Sequence, residues 1–96
     1  MGHRRRAREH ALQMLYQADV AGLGADETLR VHWDRDPEPD ATVRAFAERL
    51  VRSTLADLGE IDALISAVSR NWTIDRIGVV DRNLLRLAIA ELKTEP

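Results

Sequence analysis

Four arginines, Arg4, Arg5, Arg6 and Arg8, stand together in the stretch RRRAREHALQMLY, at the head of an apolar pattern with helical spacing. Guanidinium groups donate paired, planar hydrogen bonds to phosphate, and a cluster of them gains further by releasing the counterions of a nucleic acid. In a helix the same placement is unfavourable. The N-terminal end already carries partial positive charge, so each exposed cation there costs roughly 0.3–1 kcal/mol. Arg5 and Glu9 are four residues apart, but with the cation first, the weaker order for such a pair. No other internal acid is evident from the sequence, which leaves two readings: a solvated N-terminus, or a patch that contacts phosphate.

Other residue types that could do chemistry do not form a pattern. His3, His10 and His32 are scattered, without an i, i+4 pair, and the chain has no cysteine. Zinc spacing is therefore absent, and neither a metal nor a cofactor is expected. Ser53, Ser66 and Ser69 fall within or at the end of helical patterns, without an adjacent base. Asp57, Glu60 and Asp62 gather at a helix junction, where capping or solvation is the expected role rather than paired acid and base work. No phosphate-binding glycine loop or nucleophile elbow occurs, so the chain is not expected to be an enzyme. Trp72 is expected to pack between helices, and Trp33 to form a small satellite core. Tyr16 can either pack inward or face a partner.

The elements that carry these residues are helical. From Arg4 to about Asp19, Ala7, Ala11, Leu12, Met14, Leu15 and Ala18 recur at steps of three and four, until Gly22 and Gly24 interrupt. Residues 21–41 read as a long connection holding one short helix, from Asp26 or Glu27 to Trp33, closed by Pro37 and Pro39. Val43, Phe46, Ala47, Leu50, Val51, Thr54, Leu55 and Leu58 then give the strongest helical period, with Asp40 as N-cap and Gly59 as stop. Ile61, Leu64, Ile65 and Val68 form the next apolar face. In the last pattern Ile77, Val80, Leu84, Leu87, Ala88 and Leu92 can share a face, with Thr73 or Asp75 capping a helix that runs from Ile74 to Leu92. No segment alternates with a two-residue period, so an all-α fold is expected.

Ninety-six residues, 45% hydrophobic and 31% charged, suit one small domain. We divide it at residue 41, into an N-terminal helix with loop and short helix (1–41) and a helical bundle segment (42–96). The net charge of -2 carries no nucleic-acid signature by itself, but it is unevenly spread: residues 1–20 sum to +2, residues 21–41 to -4, and residues 42–96 to zero. No apolar run approaches the ~20 residues that span a bilayer, and no membrane partner is expected. A cytoplasmic location is the expectation, with the absence of cysteine compatible with it.

Three motifs, in order, give these features a family. RRRAREHALQMLYQADV, FAERLVRSTLADLGEIDALI and NWTIDRIGVVDRNLLRLAIAEL together resemble the NusB family of bacterial transcription antitermination factors, through nearly the whole chain except residues 21–41. The resemblance implies an all-helical protein that binds the boxA element of ribosomal RNA transcripts, together with NusE, a protein of the small ribosomal subunit, in the transcription elongation complex. It implies RNA contact by Arg4, Arg5, Arg6 and Arg8. It also implies a protein-partner surface near Tyr16 and Asp81, although Asp81 at a helix start would serve equally well as a cap. Family members continue beyond the last helix found here, so the expected fold is a NusB-like bundle lacking the usual last helices. Two alternatives stand beside this reading. One is an accessory RNA-binding domain of a ribosomal RNA cytosine methyltransferase; the other is an interaction module that forms a homodimer.

Overall fold

In the computed structural model, which describes residues 2–69 and 73–95, the arginine-headed pattern folds as α1 (His3–Ala21). Gly22 ends it in the left-handed region at φ 70°, where a side chain would be strained, and the Gly22 and Leu23 amides both donate to the Ala18 carbonyl. The expected short helix is α2 (Ala25–Arg35); Asp26 and Glu27 in its first turn and Arg35 in its last complement the helix dipole. Next comes α3 (Ala41–Ala56), capped as expected by Asp40, whose Oδ1 accepts from the Thr42 amide at 2.8 Å and the Val43 amide at 3.3 Å. The remaining helices are α4 (Leu58–Val68) and α5 (Val79–Thr94). The described residues contain no strand.

Small residues bring the central pair of helices together. Ala7 and Ala11 on α1 and Ala47 on α3 are fully buried, so Met14, Leu15, Val43, Leu50 and Val51 interlock around a close contact. Leu29 of α2 and Leu87 of α5 close this core, and Trp33 packs against it. Trp33 is thus part of the main core, not of a satellite: its indole Nε1–H reaches Glu48 at 2.9 Å, while the ring covers apolar surface. Ile61, Ile65 and Ala90 form a second, smaller core, flanked by Ile74, Ile77 and Ile89.

Four boundary and face expectations need correction. Gly59 does not stop a helix: α3 ends at Ala56, Asp57 is the single joint residue, and Gly59 lies in the first turn of α4. The last helix starts at Val79 with Gly78 as N-cap; Thr73 and Asp75 precede it, in a turn closed by the Arg76 amide on the Thr73 carbonyl. Its buried face is Asn83, Arg86, Leu87 and Ala90, whereas Val80, Leu84 and Leu92 are exposed. On α4, Leu64 and Val68 are likewise exposed. Trp72 lies outside the described residues.

Charge docks that face of α5 beside the apolar contacts of Leu87 and Ala90. Arg86, only 8% exposed, donates from Nε and Nη2 to both oxygens of Asp62, at 2.7 and 2.8 Å, and from Nη1 to Asp19 at 3.0 Å. Arg82 Nε and Asn83 Nδ2 also donate to Asp19, at 2.7 and 3.0 Å. The Arg82 hydrogen bond, helped by Asn83 and the charges of Arg82 and Arg86, holds the Asp19 carboxyl below the usual carboxylate range against the opposing effect of burial. Lys93 meets Glu60 at 2.8 Å and Asp57 at 3.7 Å. The acids at the α3–α4 junction thus also pair with α5, while Asp57 holds the N-cap position of α4 and Glu60 stays largely exposed.

Candidate nucleic-acid interface

The first two turns of α1 aim the four arginines in different directions, because consecutive helical positions are about 100° apart. Arg4 lies over the ring of Phe46 on α3, its Cζ 4.6 Å from the ring centroid, and Arg49 approaches the same ring at 5.2 Å. Arg5 is the most solvent-exposed of the paired arginines and meets Glu9 at 3.3 Å, the local pair the spacing allowed. Arg6 reaches Glu38, in the loop before α3, at 3.1 Å. Arg8 forms a two-pronged pair with Glu91 of α5, at 2.8 and 2.5 Å.

The cluster is therefore compensated inside the chain. Glu38 and Glu91 lie 32 and 83 residues from their arginines, which is why no sequence window reveals them. The hydrogen bond from Arg8 holds Glu91 below the usual carboxylate range, and Glu91 in turn raises Arg8. Glu38 sits at about 2, lowered first by Arg6 and then by the Asp40 amide, with His10 also contributing. Both pairs leave the arginines partly open, with Arg6 47% and Arg8 44% exposed.

Arg49 was missed in the sequence. It approaches the same Phe46 ring as Arg4, and those residues with His3, Thr42 and Ala45 line a shallow cleft of about 520 Å³. The available signal was its spacing: Arg49 follows Phe46 by three residues, hence on the same helix face. Guanidinium planes beside an aromatic ring suit unstacked bases as well as phosphate.

Tyr16, 44% exposed, lines a separate cleft of about 720 Å³ with Leu12, Gln17, Val20 and Val80. Asp81 is exposed in the first turn of α5 and lines a neighbouring cleft with Arg76, Ile77, Leu84 and Leu85. Its carboxylate makes no capping hydrogen bond; Gly78 occupies the cap position. Tyr16 and Asp81 thus line two different clefts, with Val80 of α5 on the first and Asp81 on the second. Folding also joins two of the scattered histidines: His10 of α1 and His32 of α2 meet at 2.8 Å.

Residues 5–96 match the model of the NusB family. The chain belongs to the NusB family. Among its relatives, the transcription antitermination protein NusB of Anaeromyxobacter dehalogenans (strain 2CP-1) is 48% identical over 89 residues, covering 93% of this chain and 63% of that protein. The NusB protein of Myxococcus xanthus (strain DK1622) is 45% identical, covering all of this chain and 71% of the relative. The chain thus spans a little under two thirds of the length of the Anaeromyxobacter relative. Two solved structures are 34% identical and cover 96% of the chain: a chain in a crystal structure of a plectonemic RNA supercoil, at TM-score 0.89, and the solution structure of NusB from Aquifex aeolicus, at 0.82. They extend over 67% and 62% of those structures, respectively. A NusB-like all-helical fold is common to this chain and both structures.

Proposed function

We propose that this chain is the RNA-binding part of a transcription antitermination factor, acting as one domain over residues 1–96. The observation that carries the reading is the arginine-headed start of α1, set against the Arg49 and Phe46 surface of α3, in a chain of the NusB family. Arg4, Arg5, Arg6 and Arg8 engage the backbone of a boxA-type single-stranded RNA, and the Arg4, Phe46 and Arg49 cleft receives an unstacked base. NusE binds the surfaces of α1 and α5 that carry Tyr16 and Asp81, and the assembly acts in the transcription elongation complex. The chemistry is recognition, with no bond made or broken.

Ion exchange sets the energetics. RNA phosphate must displace Glu9, Glu38 and Glu91, so specific binding draws on differences between ion pairs and on counterion release more than on naked charge. The test is binding of a labelled boxA RNA across a salt series, with and without NusE, beside a scrambled RNA of equal length. Tighter binding of boxA, enhanced by NusE, is expected. Equal affinity for the two RNAs in the presence of NusE would defeat the proposal. Arg4→Ala and Arg5→Ala should each lower the salt slope by about one while leaving the circular dichroism unchanged.

A further inference from the structure

His10, His32, Asp36 and Glu38 converge where α1 meets the C-terminal end of α2 and the loop before α3; the RNA reading takes Arg6 from Glu38 but gives the two histidines and Asp36 no role. His32 is 5% exposed and Glu38 7%, so two of the four are nearly removed from water. Glu38 Oε2 accepts from Arg6 Nη2 and from the Asp40 amide, each at 3.1 Å, and its backbone carbonyl accepts from Arg44. Glu38 is thus held at its carboxylate by two donors and at its backbone by a third. Its remaining oxygen, Oε1, faces His10 Nε2 at 3.2 Å.

An acceptor at Nε2 decides how His10 is used. With the Nε2 proton donated to Glu38, the lone pair of the unprotonated ring is at Nδ1. That nitrogen faces His32 Nε2 at 2.8 Å and Asp36 Oδ2 at 3.6 Å. The three ligand atoms lie within 4.8 Å of one another. In that tautomer two electron-rich atoms, His10 Nδ1 and the Asp36 carboxylate, face each other, with at most one proton from His32 between them. A cation placed among the three would turn that opposition into attraction.

We propose that His10 Nδ1, His32 Nε2 and Asp36 form a binding site for one zinc-class divalent cation, with Glu38 orienting His10 from the far side of its ring. A carboxylate behind a ligating imidazole fixes the tautomer and strengthens the nitrogen donor. Tetrahedral zinc, with bonds of about 2.0–2.1 Å, sets its ligand atoms about 3.3 Å apart. The two edges from His10, 2.8 and 3.6 Å, bracket that separation, and the third, between His32 and Asp36, is within 4.8 Å, so side-chain adjustment of about an ångström is needed. Two imidazoles and one carboxylate favour zinc, cobalt or nickel over magnesium or calcium, which take all-oxygen sites. Access is open: Asp36 is 56% exposed, and with His32 it forms one wall of the Tyr16 cleft. Water supplies the fourth ligand. The cation ties α1 to the end of α2, a structural role.

Zinc alone is the probe. Protein stripped with a chelator and titrated with zinc is expected to bind one equivalent, with a rise in Tm; cobalt should give the visible absorption bands of a four-coordinate site, and excess magnesium should not compete. Asp36→Asn, at an exposed position, is expected to weaken zinc at least tenfold while keeping its circular dichroism, and His32→Gln to do the same. His3→Ala, which removes the histidine paired with Asp40 at the N-terminus, should leave the titration unchanged. The proposal is overturned if no stoichiometric zinc binds, if folded Asp36→Asn and His32→Gln bind as tightly as the parent, or if His3→Ala abolishes binding. RNA affinity is not a readout here, so failure of this site leaves the RNA reading untouched, and the converse holds.

Discussion

At the residue scale, a charged side chain is understood only with the partner it must give up. Arg8 and Glu91 pair across 83 residues at the partly open edge of the α1–α5 contact. Such pairs contribute about 0–1 kcal/mol to stability. Glu91→Gln is therefore expected to cost little in thermal unfolding yet to tighten RNA binding several-fold, because Arg8 no longer has to leave a carboxylate; unchanged or weaker RNA affinity would remove Arg8 from the interface. A quite different residue is Thr28, fully buried on α2, whose hydroxyl has no hydrogen-bond partner among the described residues. An unpaired buried hydroxyl costs on the order of 1–3 kcal/mol. Thr28→Val, which keeps the shape, should raise stability by about 1 kcal/mol in denaturant melts.

At the element scale, each helix end and each docked face has its own chemical reason. Asp40 caps α3, the helix at the centre of the core, so Asp40→Ala should cost about 1 kcal/mol, and Asp40→Asn less. The docking of α5 rests on Arg86 between Asp62 and Asp19. Removing the arginine strands the partly buried Asp62 and takes one of three donors from Asp19, which keeps Arg82 and Asn83; roughly 3 kcal/mol is the expected loss. Urea unfolding of Arg86→Met should show this, whereas Leu92→Gln, on the exposed face of the same helix, should stay within about 0.5 kcal/mol of the parent. Acid should act through the same node. Asp19 titrates lower folded than unfolded, so its contribution is present above the ordinary aspartate range and is lost as pH falls through the folded value. Asp19→Asn is expected to lower stability near neutrality and to flatten its decline below about pH 4.

At the scale of the whole molecule, α1 is the common member: it packs on α3 and α5, carries the arginines, Tyr16 and His10, and ends at Gly22. Among the described residues no helix is long and apolar enough to cross a membrane. Leu50 and Met14, fully buried between α1 and α3, are positions where truncation to alanine should cost about 2–5 kcal/mol and loosen the base on which the arginines stand. The helices themselves were legible in the sequence. Three- and four-residue spacing identified most of the buried faces of α1 and α3, with Leu12 and Leu55 only partly buried and Leu58 falling in α4; Asp40 announced its cap, and the motif order announced the family, because these signals are local or additive along the chain. Less legible was anything decided by polar partners far apart. The buried face of α5 is set by Arg86 and Asn83 meeting Asp19 and Asp62, which an apolar count passes over in favour of Val80, Leu84 and Leu92. In the same way, Glu38 and Glu91 neutralise arginines that had no evident partner, Arg49 joins Arg4 around Phe46, and His10 finds His32. The sequence by itself determined which segments are helical and which of their faces are oily, since both follow from backbone hydrogen bonds and side-chain periodicity within a few residues. Only the tertiary structure decided which charges meet, because a hydrogen bond requires approach within about 3 Å, and only packing brings together groups separated by 22, 32 or 83 positions.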